Sequence, residues 1–444
     1  MPGSARRSAS PGCWPAPRRR TPRPCRLSSP RIPGRLAAPK SARYPESALT
    51  HLRIAPLLAL AVALVPFALD AYLPAFPDIA RDLGVPINEV GLTLSVYVFV
   101  LAAGQLVGGP LSDRFGRRPV VFAGLAVFII GSLMVTTATS LPAMMGWRAL
   151  QAFGGGWVAV SVPAIVRDQT SGRETARLFS LISLIMFIAP AIAPTVGTAL
   201  MAVLGWHGIF EFLALYAMLV AVLLQTLLFP RAPVGTGRRE PLAALVTNYR
   251  HVLGHGTVMM LVALQAVAFS VLLIYLTHAP FLLQNWLGLD NRAFSMVFAV
   301  NVAAMAGVSL LNRRLLHRLE PYQILRVSVP LQLTAVLALL AIIVTDAPRW
   351  LVIPGLMALI GTMGAIAPNV QASVMQFFRE LGGTAAAVLG AVQFAGGGVL
   401  SALSALIVQG HAERVALAML ACACAASLLV WPVAARLRQA GPVA

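Results

Sequence analysis

Gly108-Gly109-Pro110-Leu111-Ser112-Asp113-Arg114-Phe115-Gly116-Arg117-Arg118-Pro119 sets one acid, three arginines and two prolines in twelve residues, between two long apolar runs. Hydrocarbon cannot solvate those charges, so the segment is expected to be a short turn at a membrane face. The composition around it agrees. Hydrophobic residues make up 58% of the 444-residue chain and charged residues 11%, where soluble domains carry about 25% charged residues. The mean hydropathy is +0.79. Such a chain cannot clothe a water-facing surface, and it reads as a multi-span membrane protein.

The net charge of +19 suggests nucleic acid at first sight, and its distribution argues against that partner. Residues 1–50 hold eleven bases and a single acid, Glu46. Trp14 and Tyr44 are the only aromatics interleaved with them, too few for a base-stacking surface. This Pro-, Arg- and Ser-rich segment is read as a disordered basic tail. Lys40 is the chain's only lysine. The bias suggests a GC-rich genome, so translation is expected to start downstream; N-terminal peptides recovered from before Arg43 would overturn that. Of the four cysteines, Cys13 and Cys25 lie in the tail and Cys422 and Cys424 in an apolar run. Residues i and i+2 of a helix face apart, so neither a metal site nor a disulfide framework is implied.

From about His51 the chain alternates apolar runs of membrane-crossing length with short polar breaks. Spans are expected near 53–75, 89–110, 119–138, 142–164, 178–201, 208–229, 257–281, 293–311, 323–345, 349–368, 384–407 and 413–435. The longest polar break, 231–256, divides them into an N-terminal bundle (51–230) and a C-terminal bundle (257–437), with a short tail at 438–444. Seventeen arginines fall on the side of the opening turn and four on the other: Arg81, Arg292, Arg349 and Arg414. That asymmetry puts the turn and both termini in the cytoplasm. Gly307-Val308-Ser309-Leu310-Leu311-Asn312-Arg313-Arg314 echoes the turn in the second half. Two six-span halves in parallel repeat carry their site between them near mid-membrane.

Several stretches now resemble one family. The opening turn is similar to the signature loop between helices 2 and 3 of the major facilitator superfamily. Asp70-Ala71-Tyr72-Leu73-Pro74-Ala75-Phe76-Pro77, Arg148-Ala149-Leu150-Gln151-Ala152-Phe153-Gly154, Ala164-Ile165-Val166-Arg167-Asp168, Pro368-Asn369 and Gly390-Ala391-Val392-Gln393-Phe394 resemble its drug:proton antiporters, specifically the bicyclomycin/chloramphenicol resistance group. The resemblance covers residues 51–437. It implies an all-α membrane protein of twelve transmembrane helices, in two six-helix bundles about a pseudo-two-fold axis along the membrane normal. It also implies a functional monomer in a bacterial inner membrane, without cofactor.

Asp70 is the leading site candidate. Lying 16 residues after Ile54, it is about 24 Å along a helix, in the outer half of span 1. An intramembrane carboxylate is costly and functional by default. Arg148, about 9 Å from the outer face of span 4, reaches a similar depth. The resemblance implicates its position in proton coupling, so Arg148 is expected to tune Asp70, directly or through water. Ala152 stands where the motif has glycine. In the family the acid of the signature loop docks on the start of span 11 and bridges the halves in the outward-facing state. Gly109, Asp113, Arg114, Gly116, Arg117 and Arg118 are therefore expected to gate, with Asp113 meeting Gly382-Gly383-Thr384, whose free backbone N–H groups favour an anion. Pro190, Pro194 and Gly197 resemble an antiporter motif that bends span 5 and packs it against span 8. Tyr97, Tyr275 and Gln393 are candidates for the substrate cavity; His278, near Pro280, reads first as an ordinary helix-end histidine, with a second titrating group as the alternative.

No nucleophile elbow, phosphate-cradling loop or metal-ligand spacing occurs in the sequence. The expected activity is export of small amphipathic compounds or drugs in exchange for protons. A proton-coupled uptake symporter or a metabolite exporter is the alternative on the same fold, and a non-transporting lipid- or partner-binding protein the alternative from another class.

Overall fold

A computed structural model describes residues 48–169, 173–230, 242–345, 347–378, 382–408 and 410–440. The basic tail through residue 47, the arginines of the linker at 231–241 and the last four residues lie outside that set. The described residues form fourteen α-helices and no strand. They are α1 (Ala48–Asp70), α2 (Phe76–Leu83), α3 (Ile87–Phe115), α4 (Arg117–Val135), α5 (Leu141–Gln169), α6 (Arg173–Leu204), α7 (His207–Leu223), α8 (Leu242–Gly254), α9 (Gly256–Pro280), α10 (Asn291–Leu315), α11 (Pro321–Val344), α12 (Val352–Phe377), α13 (Gly382–Val408) and α14 (Ala412–Ala440).

All but α2 and α8 are membrane helices. Eleven spans are long and apolar enough on their described residues alone, and the 32-residue α6 completes twelve. Helices dominate because each one satisfies its backbone polar groups internally, without water. Helices α1 and α3–α7 form one six-helix bundle and α9–α14 the other. The bundles meet where α3 packs on α13 and α9, and where α6 packs on α10.

Two expected boundaries move, each for a physical reason. The opening turn shrinks to one residue: α3 runs on to Phe115, α4 begins at Arg117, and Gly116 alone reverses the chain at φ 92° and ψ 158°. Side chains rarely tolerate that conformation, which glycine adopts freely. The charged residues thus extend two helices beyond the hydrocarbon instead of forming a loop.

The first span, expected to run unbroken over 53–75, instead stops at Asp70. A 3-10 turn over Leu73–Ala75 follows, and then α2. Pro74 and Pro77 lack the N–H groups that a continuous helix would need there.

The two bundles are tied together on the face opposite the turn. Ser95 and Ser401 share a hydroxyl hydrogen bond at 3.0 Å across the junction, and within the second bundle Thr277 bonds Ser401 at 2.5 Å. Thr198 meets Ser295 at 3.0 Å, and Gln284 donates to the Pro74 carbonyl at 3.2 Å.

Candidate functional site: a broken helix and the cavity beside it

A helix that stops inside a protein leaves carbonyl groups without partners. At the end of α1, the amide of Ala71 returns to the Phe67 carbonyl at 3.0 Å. The Ala68 carbonyl accepts from Nη2 of Arg148, also at 3.0 Å. A cation there also complements the negative end of the helix dipole. Arg148 is fully buried. Its Nη1 donates to Oε1 of Gln151 at 2.6 Å, Gln151 donates to Ser132 at 2.7 Å, and Ser132 ends the chain on the Phe128 carbonyl.

Three rings complete the enclosure. The guanidinium carbon lies 4.2 Å from the centroid of Tyr97, 4.3 Å from Tyr72 and 5.6 Å from Phe210. Desolvated cation–π contacts are worth about 2 kcal/mol, and here they stand where a carboxylate partner would be expected. Direct contact between Arg148 and Asp70, one of the two routes expected for their coupling, is not what the structure has. The guanidinium holds the backbone two residues before Asp70.

The Asp70 carboxyl turns instead to the junction between the bundles. It is 5% exposed and lines a cavity of about 200 Å³ with Tyr275, Asn301 and Pro190, walled by Phe269, Phe298 and Phe394 among other apolar groups. Among the described residues it has no hydrogen-bond or ion-pair partner. Nδ2 of Asn301 donates to the Tyr275 hydroxyl at 3.0 Å, so this pair is the polar group nearest at hand in an apolar chamber.

Of the three residues expected to face the cavity, Tyr275 does. Tyr97 lies behind it as the face on which Arg148 stacks. Gln393 accepts from Gln265 at 2.9 Å, joining α9 to α13. Both are drawn off by a partner on the other side: a cation in one case, an amide in the other.

Pro190 borders the cavity, while Gly197 serves a different contact from the expected one. A Cβ built on Gly197 would stand 1.7 Å from the Ala71 carbonyl oxygen, so α6 presses on the residue following Asp70. The expected contact with the eighth span is made next door, by Thr198 with Ser295.

On the turn face, Arg117 joins two acids. It bonds Asp113, four residues back across the turn, and donates from Nε to Asp168 of α5 at 3.0 Å. It also reaches Ser112 at 3.2 Å. A cavity of about 340 Å³ opens beside this cluster, with Gly109, Asp113 and Asp168 on one side and Thr384 and Tyr249 on the other. Asp113, bonded by Arg117, thus faces the start of α13 across a gap; the docking expected of it belongs to the outward-facing state. Arg114 lies over Phe115, and Arg118 bonds Gln225 at 3.1 Å. Burial, helped by the charge of Asp113, raises the pKa of the Tyr249 phenol, which stays neutral.

Sequence reasoning passed over Tyr72, Phe210, Asn301, Asp168 and Tyr249. Asp168 and Tyr72 stood in the stretches that resemble the family, where an acid beside Arg167 and an aromatic two residues from Asp70 were the available signals. For Phe210, Asn301 and Tyr249 only the fold brings them into place.

Twelve membrane-length helices in two bundles, enclosing an unpartnered carboxyl at their junction, define a polytopic membrane transporter. The chain belongs to the Major Facilitator Superfamily, whose model matches residues 58–402. It is 28% identical to the bicyclomycin resistance protein homolog of Haemophilus influenzae over 81% of this chain and 90% of that one. It is 29% identical to the chloramphenicol resistance protein of Pseudomonas aeruginosa over 78% and 81% of the two chains. The fold is similar to that of a D-xylose-proton symporter, with a TM-score of 0.71 at 15% identity, covering 86% of this chain and 97% of the other.

Proposed function

We propose that this transporter exports small amphipathic compounds, drugs among them, in exchange for protons, and that Asp70 carries the proton. One observation bears most of the weight: a buried carboxyl without a counter-ion lines an apolar chamber between the bundles. A bare carboxylate is expensive there, so a proton or a bound substrate must compensate it. Exchange follows when the two compete for the same place. The names of the bicyclomycin and chloramphenicol resistance relatives support the substrate class.

Arg148 is the positioning residue. By fixing the Ala68 carbonyl it fixes the end of α1, and with it Asp70. The Asp113–Arg117–Asp168 cluster gates the turn face, which the arginine asymmetry assigns to the cytoplasm along with both termini, in a bacterial inner membrane. Bundles tied on the opposite face and parted by a cavity on the turn face then correspond to an inward-facing arrangement of an alternating-access cycle. The protein works as a monomer, and its two bundles, 51–230 and 257–437, are the moving bodies, joined by the linker at 231–256.

The test is drug susceptibility of an efflux-deficient host expressing wild type or Asp70→Asn, paired with proton release on adding the same drug to proteoliposomes. Protection and drug-driven proton movement by wild type, both lost in the variant, support the reading. Protection undiminished in Asp70→Asn overturns the assignment of the carrier.

A further inference from the structure

A second built site lies on the lipid-facing side of the C-terminal bundle, at the level of the turn face. Helices α11 and α14 pack side by side, and between them runs a groove of about 450 Å³ lined by Arg326, Trp431, Ala434, Ala435, Arg438 and Gln439. The α14 residues follow helical spacing: Trp431, Ala435 and Arg438 lie four and three residues apart, on one stripe. Two alanines make the floor, so no side chain fills the groove. Arg326 crosses from α11 with its guanidinium 5.0 Å from the Trp431 ring centroid. It lies five residues into its helix, about 7.5 Å from the end. That is deep for a lipid-facing arginine whose donors meet no acceptor among the described residues.

Arg438 sits at the other rim. It also borders a second cavity with Glu320, yet makes no ion pair among the described residues. Two guanidinium groups with free donors therefore converge on one groove at interfacial depth, with an indole beside them. Below them the surface is apolar and open: Leu337, eleven residues on from Arg326 along the same stripe of α11, is 45% exposed, and Leu428, three residues before Trp431, is 75% exposed.

Free planar donors at the head and bare aliphatic surface beneath match the chemistry of a phosphodiester carrying acyl chains. Guanidinium forks suit phosphate oxygens. Tryptophan favours the interfacial layer, and each basic group near an anionic leaflet contributes about 1 kcal/mol. We propose that this groove binds the headgroup phosphate of an anionic glycerophospholipid, with an acyl chain lying along Leu337 and Leu428.

Charges that only set topology would act wherever they stand near the helix end. Arg436 supplies the contrast: it is exposed on the same last turns of α14, but its guanidinium lies beside Gly256 at the start of α9, off the groove.

The experiment uses the full-length protein in detergent, with phosphatidylglycerol, phosphatidylcholine or inorganic phosphate titrated in, read by thermal unfolding and by lipid retention in native mass spectrometry. Wild type should retain phosphatidylglycerol and gain thermal stability from it. The Arg326→Ala/Arg438→Ala double variant should bind it about 30-fold more weakly, two contacts of about 1 kcal/mol each. Arg436→Ala should match wild type. Equal loss in Arg436→Ala, or equal retention of phosphatidylcholine by wild type, would overturn the site in favour of diffuse charge. Stabilisation by inorganic phosphate alone, with displacement of the lipid, would overturn the lipid assignment. All three arginines are exposed, and native-like gel-filtration profiles check that the variants fold.

Discussion

Arg148 bonds the carbonyl of Ala68 at 3.0 Å, so its link to Asp70 runs through two residues of backbone and not through charge pairing. A planar fork can serve Ala68 and Gln151 at once. A lysine keeps the charge, but its three donors share one nitrogen and cannot span the two acceptors as a fork does. Arg148→Lys is therefore expected to insert and fold while losing at least tenfold in drug-driven proton exchange in proteoliposomes. Arg148→Met, which leaves the end of α1 uncapped and the aromatic box without its cation, should also lower the thermal stability of the purified protein, by a few kcal/mol.

Tyr97 offers a sharper contrast. Its ring stacks on Arg148 at 4.2 Å, while its hydroxyl is buried without a partner among the described residues. The ring is what the arrangement needs. Tyr97→Phe should keep wild-type drug protection and stability within about 0.5 kcal/mol, or gain slightly by removing an unsatisfied group. Tyr97→Leu, which removes the π face, should resemble Arg148→Lys in proton exchange.

The membrane fold was legible because lipid imposes length and apolarity on every span, and the Gly108–Pro119 turn announced the family. Asp70 and Arg148 were legible for the same reason, since hydrocarbon makes each intramembrane charge conspicuous. Their relationship was not. It depends on the break in α1 at Asp70, which Pro74 and Pro77 signal in the sequence, whereas span length alone suggests a continuous helix. Nor does sequence distinguish a tyrosine that faces a cavity, such as Tyr275, from one that lies behind it, such as Tyr97. Both are polar aromatics within a span, and only packing decides which side of the bundle each meets.

Gly197 should be intolerant of any side chain. A Cβ there would stand 1.7 Å from the Ala71 carbonyl oxygen, a backbone atom that cannot rotate away. Gly197→Ala must push α6 from α1 next to Asp70, and overpacking of this kind costs about 1–3 kcal/mol. Lower melting temperature and reduced drug protection are expected together. Gly146→Ala in α5, where nothing lies within 4 Å, should be neutral or stabilising by up to about 1 kcal/mol.

The turn-face cluster should matter to the cycle more than to stability. Arg117 is bonded to both Asp113 and Asp168, and the acids are 49% and 33% exposed. Pairs this open contribute at most about 1 kcal/mol. Asp113→Asn and Asp168→Asn should each insert normally and unfold within about 1 kcal/mol of wild type, while drug protection falls. Combining them should destabilise by more than the sum of the two, because either acid alone still neutralises Arg117 and only the double variant leaves that largely buried guanidinium unpaired.

On the opposite face, the hydroxyls of Ser95 and Ser401 lie 3.0 Å apart, across the junction of the bundles, with Thr277 bonded to Ser401 as well. If alternating access parts α3 from α13 here, the contact exists in only half of the cycle. A Ser95→Cys/Ser401→Cys pair should then form a cross-link under mild oxidation, and the oxidised protein should lose transport that reductant restores. Single cysteines should transport normally with or without oxidant. Full transport by the demonstrably cross-linked pair would mean that α3 and α13 never separate at this level, and that opening to this face occurs elsewhere.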